Sequence, residues 1–368
     1  MSMKMTRRQA LKWIAAAAAT AALSPNLHAR AHYPLPPRDP EDPAMDARKR
    51  ERGAEYLDSW VRVGRAIHAV TFYDEPSTSG KRLRTRHRDQ SFVILGEVRA
   101  PFSAHNDLWY KSSLGYVHSA WVLPVRLYPP QPLIRDVGEW GFWGEVSQVY
   151  TDAYAEPSVQ SRRIYRFYGG NVFRVVDAYE DERGTGWYKV YDEFPPTSPT
   201  HQWVLARDMR RIPRSEMAPI HPFAGEKRME VDLEAQRISC YEGDRLVFST
   251  LTASGLPGST ATLTGEMSVL LKQASRHMSN HPYPGGPAPL GDLFDLPGVP
   301  WNIFFHLNGM AIHGAYWHND FGVRRSHGCL NVSQEAARWL YRWTHPIGGF
   351  EDDFIQSDRR VGTSVIIF

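Results

Sequence analysis

The stretch "MEVDLEAQRISCYEGDRLVFSTLTASG", Met229 to Gly255, alternates apolar and polar side chains on either side of Glu242-Gly243-Asp244. A period of two broken by a turn predicts a β-hairpin with one buried face. Strand-like runs continue downstream through "EMSVLLK", "WNIFFHL" and "GMAIHGA", and the chain ends on "GTSVIIF". The one convincing helix is "SQEAARWLYRWT", with Ser333 as N-cap and Ala337, Leu340 and Tyr341 at helical spacing. A mostly β domain over 228–368, carrying one or two short helices, is therefore expected. Between Pro282 and Pro300, "PYPGGPAPLGDLFDLPGVP" holds too much Pro and Gly for regular structure and reads as a loop forming a lip or lid.

Upstream, the chain repeats itself weakly. Glu75-Pro76-Ser77, Trp109-Tyr110-Lys111 and Trp121-Val122-Leu123 are answered by Glu156-Pro157-Ser158, Trp187-Tyr188-Lys189 and Trp203-Val204-Leu205, at offsets of 81, 78 and 82. Each copy has short β-rich runs broken by Gly, Pro and charged turns, the pattern of a small closed barrel. The copies, 61–130 and 140–215, resemble two SH3-like modules, which implies binding of wall peptides. Their tryptophans read first as core residues.

The N-terminus joins Arg7-Arg8 to the apolar run Trp13–Leu23 and reaches the small-residue site Ala29-Arg30-Ala31. This predicts an export signal over 1–31, of twin-arginine type, followed by a Pro-rich and then charged linker over 32–60. The apolar run is shorter than the roughly 20 residues a spanning helix needs, so the protein is expected in the periplasm or cell wall with no membrane span after cleavage. With 43 basic against 40 acidic residues and a formal charge of +3, it is too balanced for a nucleic-acid binder. Its 42% hydrophobic content allows each domain a core.

Exported proteins usually pair their cysteines, and only Cys240 could partner Cys329. Cys240 lies in the hairpin and reads as a small buried hydrophobe, so Cys329, in "RRSHGCLNV", reads as a catalytic thiol. A thiol becomes a nucleophile as thiolate and needs a base. His327 stands two residues away; His313 ends the strand-like run "MAIH", where it could be held rigidly, and is the expected base. Gly328 permits close substrate approach, leaving the Gly328 and Cys329 amides free to face an oxyanion. Ser326 and Asn331 suit bracing of the turn. His306, His313, His318, His327 and Cys329 could be considered as zinc ligands, but neither a CxxC pair nor an HExxH helix is present, so no metal and no cofactor is expected.

"IHG" followed by "SHGCLN" resembles the active-site signature of the L,D-transpeptidase catalytic domain (YkuD family), over roughly Glu230 to Phe368. The resemblance implies an all-β, sandwich-like catalytic domain behind the two SH3-like barrels. It implies Cys329 as nucleophile, His313 as base, His327 and Ser326 shaping the site, Gly328 and Cys329 as oxyanion donors, and Asn331 bracing the turn. The gap from His313 to Ser326 is 12 residues, slightly short for the pattern, and Gly314, whose carbonyl could orient His313, stands where some members have Ser.

The implied reaction is attack on a peptidoglycan tetrapeptide stem, loss of the terminal D-alanine, and a thioester resolved by an amine, by water or by a D-amino acid. Such a thiol should also be acylated by carbapenem-type inhibitors. Arg324 and Arg325 could receive stem carboxylates, and Tyr316, Trp317 and Trp301 could line the cleft. The alternatives are an L,D-carboxypeptidase or other cysteine wall peptidase and a non-catalytic peptidoglycan-binding scaffold. A papain-like endopeptidase is disfavoured, because it would place its cysteine before its histidine.

Overall fold

The computed structural model describes residues 61–193, 200–281, 293–357 and 362–368. The expected signal and linker, 1–60, and most of the expected lid, 282–292, lie outside the described residues. Mainly β architecture holds throughout, as expected.

The first unit contains β1 (Val61–Ala66), β2 (Val70–Tyr73), β3 (Arg82–Arg86), β4 (Ser91–Val93), β5 (Gly96–Arg99), β6 (Leu108–Ser112), β7 (Gly115–His118) and β8 (Val122–Leu127). They form two sheets, ordered β4-β1-β8 and β3-β2-β7-β6-β5. The second unit contains β9 (Phe142–Val146), β10 (Tyr150–Tyr154), β11 (Arg163–Tyr168), β12 (Val172–Glu180), β13 (Gly186–Tyr191), β14 (His201–Leu205) and β15 (Met209–Arg211), in one sheet ordered β11-β10-β14-β13-β12-β9-β15. A short helix, α1 (Arg214–Met217), follows.

The repeat read in the sequence reappears as repeated hydrogen bonds. In the first turn Ser77 N donates to Glu75 O, Gly80 N to Ser77 O and Asp74 N to Lys81 O; in the second Ser158 N donates to Glu156 O, Ser161 N to Ser158 O and Ala155 N to Arg162 O. Both hairpins also carry a register shift at the corresponding place, Phe72/Tyr73 and Ala153/Tyr154. Trp109 and Trp187 are buried in the cores of their units, whereas Trp121 and Trp203 stay partly exposed.

The third unit has β16 (Lys227–Asp232), β17 (Arg237–Glu242), β18 (Arg245–Leu251), β19 (Gly265–Ser268), β20 (Leu271–Ser279), β21 (Asp295–Phe304), β22 (Ala311–Gly314), β23 (Leu330–Val332), β24 (Ile355–Gln356) and β25 (Ser364–Ile367). The predicted hairpin is β17–β18, turning at Gly243 with φ +58°. It enters a five-stranded sheet, β18-β17-β16-β25-β19; a second sheet runs β23-β22-β21-β20-β24. Helix α2 (Gln334–Trp343) starts at the predicted cap, where Ser333 Oγ accepts from Ala336 N at 3.1 Å. Alternate residues of both sheets, among them Val231, Ile238, Cys240, Ile303, Ile312 and Leu330, share one core with Ala337, Leu340 and Trp343 of α2.

One expectation needs correcting. Residues 295–300 belong to β21, although Pro297, Gly298 and Pro300 argued for a loop. The register shifts between Arg276 and Met278, so that Met278 pairs with Leu296 but Arg276 pairs with Val299. A bulge of this kind leaves Pro297 and Gly298 out of the ladder, where no amide hydrogen is needed. Gly298, with φ +59°, also packs so closely under Phe173 of the second unit that a Cβ would lie 2.4 Å from its ring.

Candidate active site

Register decides which side chains meet. Across the second sheet of the third unit, Ile303 pairs with Ile312 and Ile312 with Leu330, and these three face the core. The neighbouring row, Leu271–Phe304–Ala311, therefore lies on the opposite face. Cys329, just before β23, packs at the end of that row. His313 is two residues beyond Ala311 on β22, so it shares their face, beside Asn331 of the parallel strand β23. Thiol and imidazole thus share one face of adjacent parallel strands, Cys329 level with Ala311 and His313 two residues further along.

The turn holding the thiol is braced from inside. Ser326 Oγ donates to the Cys329 carbonyl and accepts from Gly328 N at 3.1 Å. Thr262 Oγ1 donates to the Gly328 carbonyl at 2.9 Å and accepts from Gly255 N at 2.9 Å. Gly328 has φ +113°, and a Cβ there would meet Met310 at 3.0 Å, so glycine is required by conformation and by space. The Gly328 amide is thereby engaged by Ser326, a correction to the expectation that it faces an oxyanion freely. The Ala311 amide is directed at the sulfur instead.

Cys329 and His313 are both neutral near pH 7. Burial pushes the thiol up to about 11 against the opposing pull of the Ala311 amide, and burial drags the imidazole down to about 4. His313 Nδ1 donates to the Gly314 carbonyl at 3.4 Å, which leaves Nε2 as the basic nitrogen. The thiol donates to the Gly309 carbonyl at 4.0 Å, and no hydrogen bond yet joins it to His313. Catalytic hydrogen bonds often tighten only when substrate is bound. Gly314 is fixed by crowding: a Cβ would lie 3.0 Å from Pro300 and 3.1 Å from the Gln334 backbone. Cys240 is fully buried and both cysteines are free.

The other expected site residues divide. Trp317 stands over His313 with ring centroids 5.7 Å apart and is partly exposed. His327 is half-buried against Phe294 at 5.1 Å. Arg325 is exposed and paired with Asp320 at 2.5 Å. Arg324 instead reaches away to donate to the Leu233 carbonyl at 3.0 Å. Tyr316 and Trp301, expected in the cleft, are 3% and 1% exposed: Tyr316 packs with Val63, Leu123 and Val125 of the first unit, and Trp301 packs against Tyr341 of α2. Neither offers a face to a substrate. Asn331 does not brace the turn through its side chain, which donates to His318 Nε2 at 3.0 Å; its carbonyl accepts from Thr252 Oγ1 at 2.9 Å.

Among the described residues no group of three His, Cys, Asp or Glu side chains gathers to hold a metal ion, and no helix is long and apolar enough to cross a membrane. Met310 and Ala311 were not expected beside the thiol. Ala311 was within reach of the two-residue period from His313, whereas Met310 is brought over Gly328 by the turn before β22.

Among curated proteins none matches the chain. A cysteine-to-serine mutant of the Enterococcus faecium L,D-transpeptidase is 22% identical with a TM-score of 0.29 over 40% of this chain; the chain spans about half, 52%, of that protein. The catalytic domain of the E. faecium L,D-transpeptidase is 22% identical with a TM-score of 0.29, over 39% of this chain and 97% of that one. L,D-transpeptidase 3 from Mycobacterium tuberculosis, in complex with a faropenem-derived adduct, is 16% identical with a TM-score of 0.31, over 50% and 90%. The family model of the L,D-transpeptidase catalytic domain, YkuD, matches residues 226–367. That match falls on the third unit, which holds Cys329 and His313, and the first two units lie outside it.

Proposed function

We propose that the protein is an exported, cysteine-dependent L,D-transpeptidase acting on peptidoglycan stem peptides. The observation that carries this reading is that Cys329 packs at the end of the Leu271–Phe304–Ala311 row and His313 lies two residues along β22 on the same face, inside the matched segment. His313 removes the thiol proton as the sulfur attacks the carbonyl of the L-centre of a stem diamino acid. The resting pair is neutral, so proton removal accompanies attack rather than preceding it. The Cys329 amide receives the oxyanion. His313 returns the proton to the departing D-alanine amine, and a thioester remains for an acceptor amine to resolve. Trp317 contacts the donor stem. The first two units are SH3-like modules, and residues 1–31 direct export by the twin-arginine route.

Intact mass after incubation with a tetrapeptide stem, or with a carbapenem, tests the chemistry. A covalent adduct absent from Cys329→Ala is expected. No adduct on reduced, folded protein would overturn the reading and bring forward the wall-binding scaffold.

A further inference from the structure

The β22–β23 connection, read in the sequence as a short gap, is gripped by the first unit. Arg65 Nη2 donates to the Tyr316 carbonyl at 2.5 Å, Asn319 Nδ2 donates to Tyr110 Oη at 3.1 Å and to the Ser119 carbonyl at 3.2 Å, and His105 bonds Asp320 at 3.0 Å. Beside this contact lies a cavity of about 250 Å³, walled by Phe102 and Trp121 of the first unit and by His318, Asp320 and Arg325 of the catalytic domain. Phe102 and Trp121 meet edge to face at 5.3 Å and form an apolar side.

The polar side is rich in donors and poor in acceptors. Asp320, its one carboxylate, already accepts from His105 and from Arg325. Arg325 spends Nε and Nη2 on Asp320, and among the described residues no bond engages its Nη1. His118, on the same wall, donates through Nε2 to the Asn106 carbonyl and accepts at Nδ1 from Ala120 N, so it is satisfied. His318 is not. It is only 6% exposed, its Nε2 accepts from Asn331, and Nδ1, which must then carry the proton, has no hydrogen-bond partner among the described residues. A buried donor without an acceptor is unfavourable, and a ligand oxygen would relieve it.

We propose that this cavity is the acceptor subsite, holding a carboxylate of the incoming stem peptide between His318, Arg325 and the Phe102–Trp121 wall; the inference rests on the transpeptidase reading above. The cavity is smaller than the roughly 300–1,000 Å³ of whole-ligand pockets, so it takes a residue or two rather than a stem. It lies on the imidazole side of the thiol, because His313 pairs with Asn331 and Asn331 bonds His318. The acceptor must come from that side, since its amine gives a proton to His313. The amine nitrogen attacks the thioester carbonyl, the C–S bond breaks, and the proton passes through His313 to the Cys329 sulfur.

The test uses the full chain, a tetrapeptide donor and two acceptors: a tripeptide with a free side-chain amine and a free C-terminal carboxylate, and the same peptide amidated at its C-terminus. Acylation is read by intact mass and transfer by product formed against acceptor concentration. The wild type should show a KM about tenfold lower for the acid than for the amide, and Arg325→Gln should erase that preference. Phe102→Ala should raise the KM for the acid acceptor about tenfold while the donor acylates Cys329 within about twofold of the wild-type rate. Equal use of acid and amide by the wild type would overturn the proposal, as would slowed acylation by Phe102→Ala with an unchanged acceptor KM, which assigns the cavity to the donor. Failure of the wild type to acylate is a separate result, seen before any acceptor is added, and it would remove the transpeptidase reading and this subsite together.

Discussion

Cys329 sits where burial works against it. With the thiol held near 11, roughly one part in 10⁴ is thiolate at pH 7. Alkylation by iodoacetamide should therefore speed up about tenfold per pH unit from 7 toward about 11, and Cys329→Ala should abolish it, because Cys240 is fully buried. A rate already on its plateau at pH 7 would mean a preformed thiolate. Gly328 is the second sensitive position. Alanine there meets Met310 and a left-handed backbone, so Gly328→Ala should cut acylation by about 10²-fold through a displaced turn, with most of its folding stability retained. Acylation at the wild-type rate would show that the turn tolerates a side chain. Cys329, His313 and Ser326 were legible in the sequence because their geometry is local or set by strand period. The partner of Asn331 was not, since His318 reaches it only through the folded connection.

Helix α2 was read correctly from its cap and its periodicity, and both have measurable consequences. Ser333→Ala removes the acceptor for Ala336 N and should cost about 1 kcal/mol in denaturant unfolding. At the other end of the helix, Lys272 Nζ donates to the Tyr341 and Thr344 carbonyls and Lys227 Nζ to the Trp343 carbonyl, a buried C-terminal cap that hydropathy alone would have placed at the surface. Strand β21 shows the reverse failure. Its prolines and glycine made it look irregular, and only the bulge against β20 shows how they fit. Gly298→Ala must both strain φ +59° and displace the Phe173 ring, so a loss of about 1–3 kcal/mol is expected; a neutral result would mean that the second unit yields there.

The three units are joined by polar contacts buried between them. His277 of β20 lies between Asp192 of the second unit, 2.7 Å from Nδ1, and Asp295 of β21, which binds Nε2 and accepts from Tyr165 Oη at 2.8 Å. Burial alone would lower its pKa, but hydrogen bonds and charge from the two carboxylates raise it to about 9. A folded value above the ordinary 6.5 means a stabilising contribution that is complete below about 6.5 and lost as pH rises through about 9. The stability difference between the wild type and His277→Gln should shrink across that window, as urea unfolding at pH 6 and pH 10 would show; a constant difference would mean that His277 does not titrate between the units.

Alternation, the helix cap and the spacing of the Ser-His-Gly-Cys turn by themselves determined the β architecture, helix α2 and the identity of the candidate nucleophile and base. Each is local physics: side-chain period, an unsatisfied helix end, a thiol in want of a base. Tertiary structure alone decided that Tyr316 and Trp301 are packing and that the first unit closes a cavity beside His318. Those outcomes depend on which surfaces meet between segments distant in the chain, and no local period encodes that.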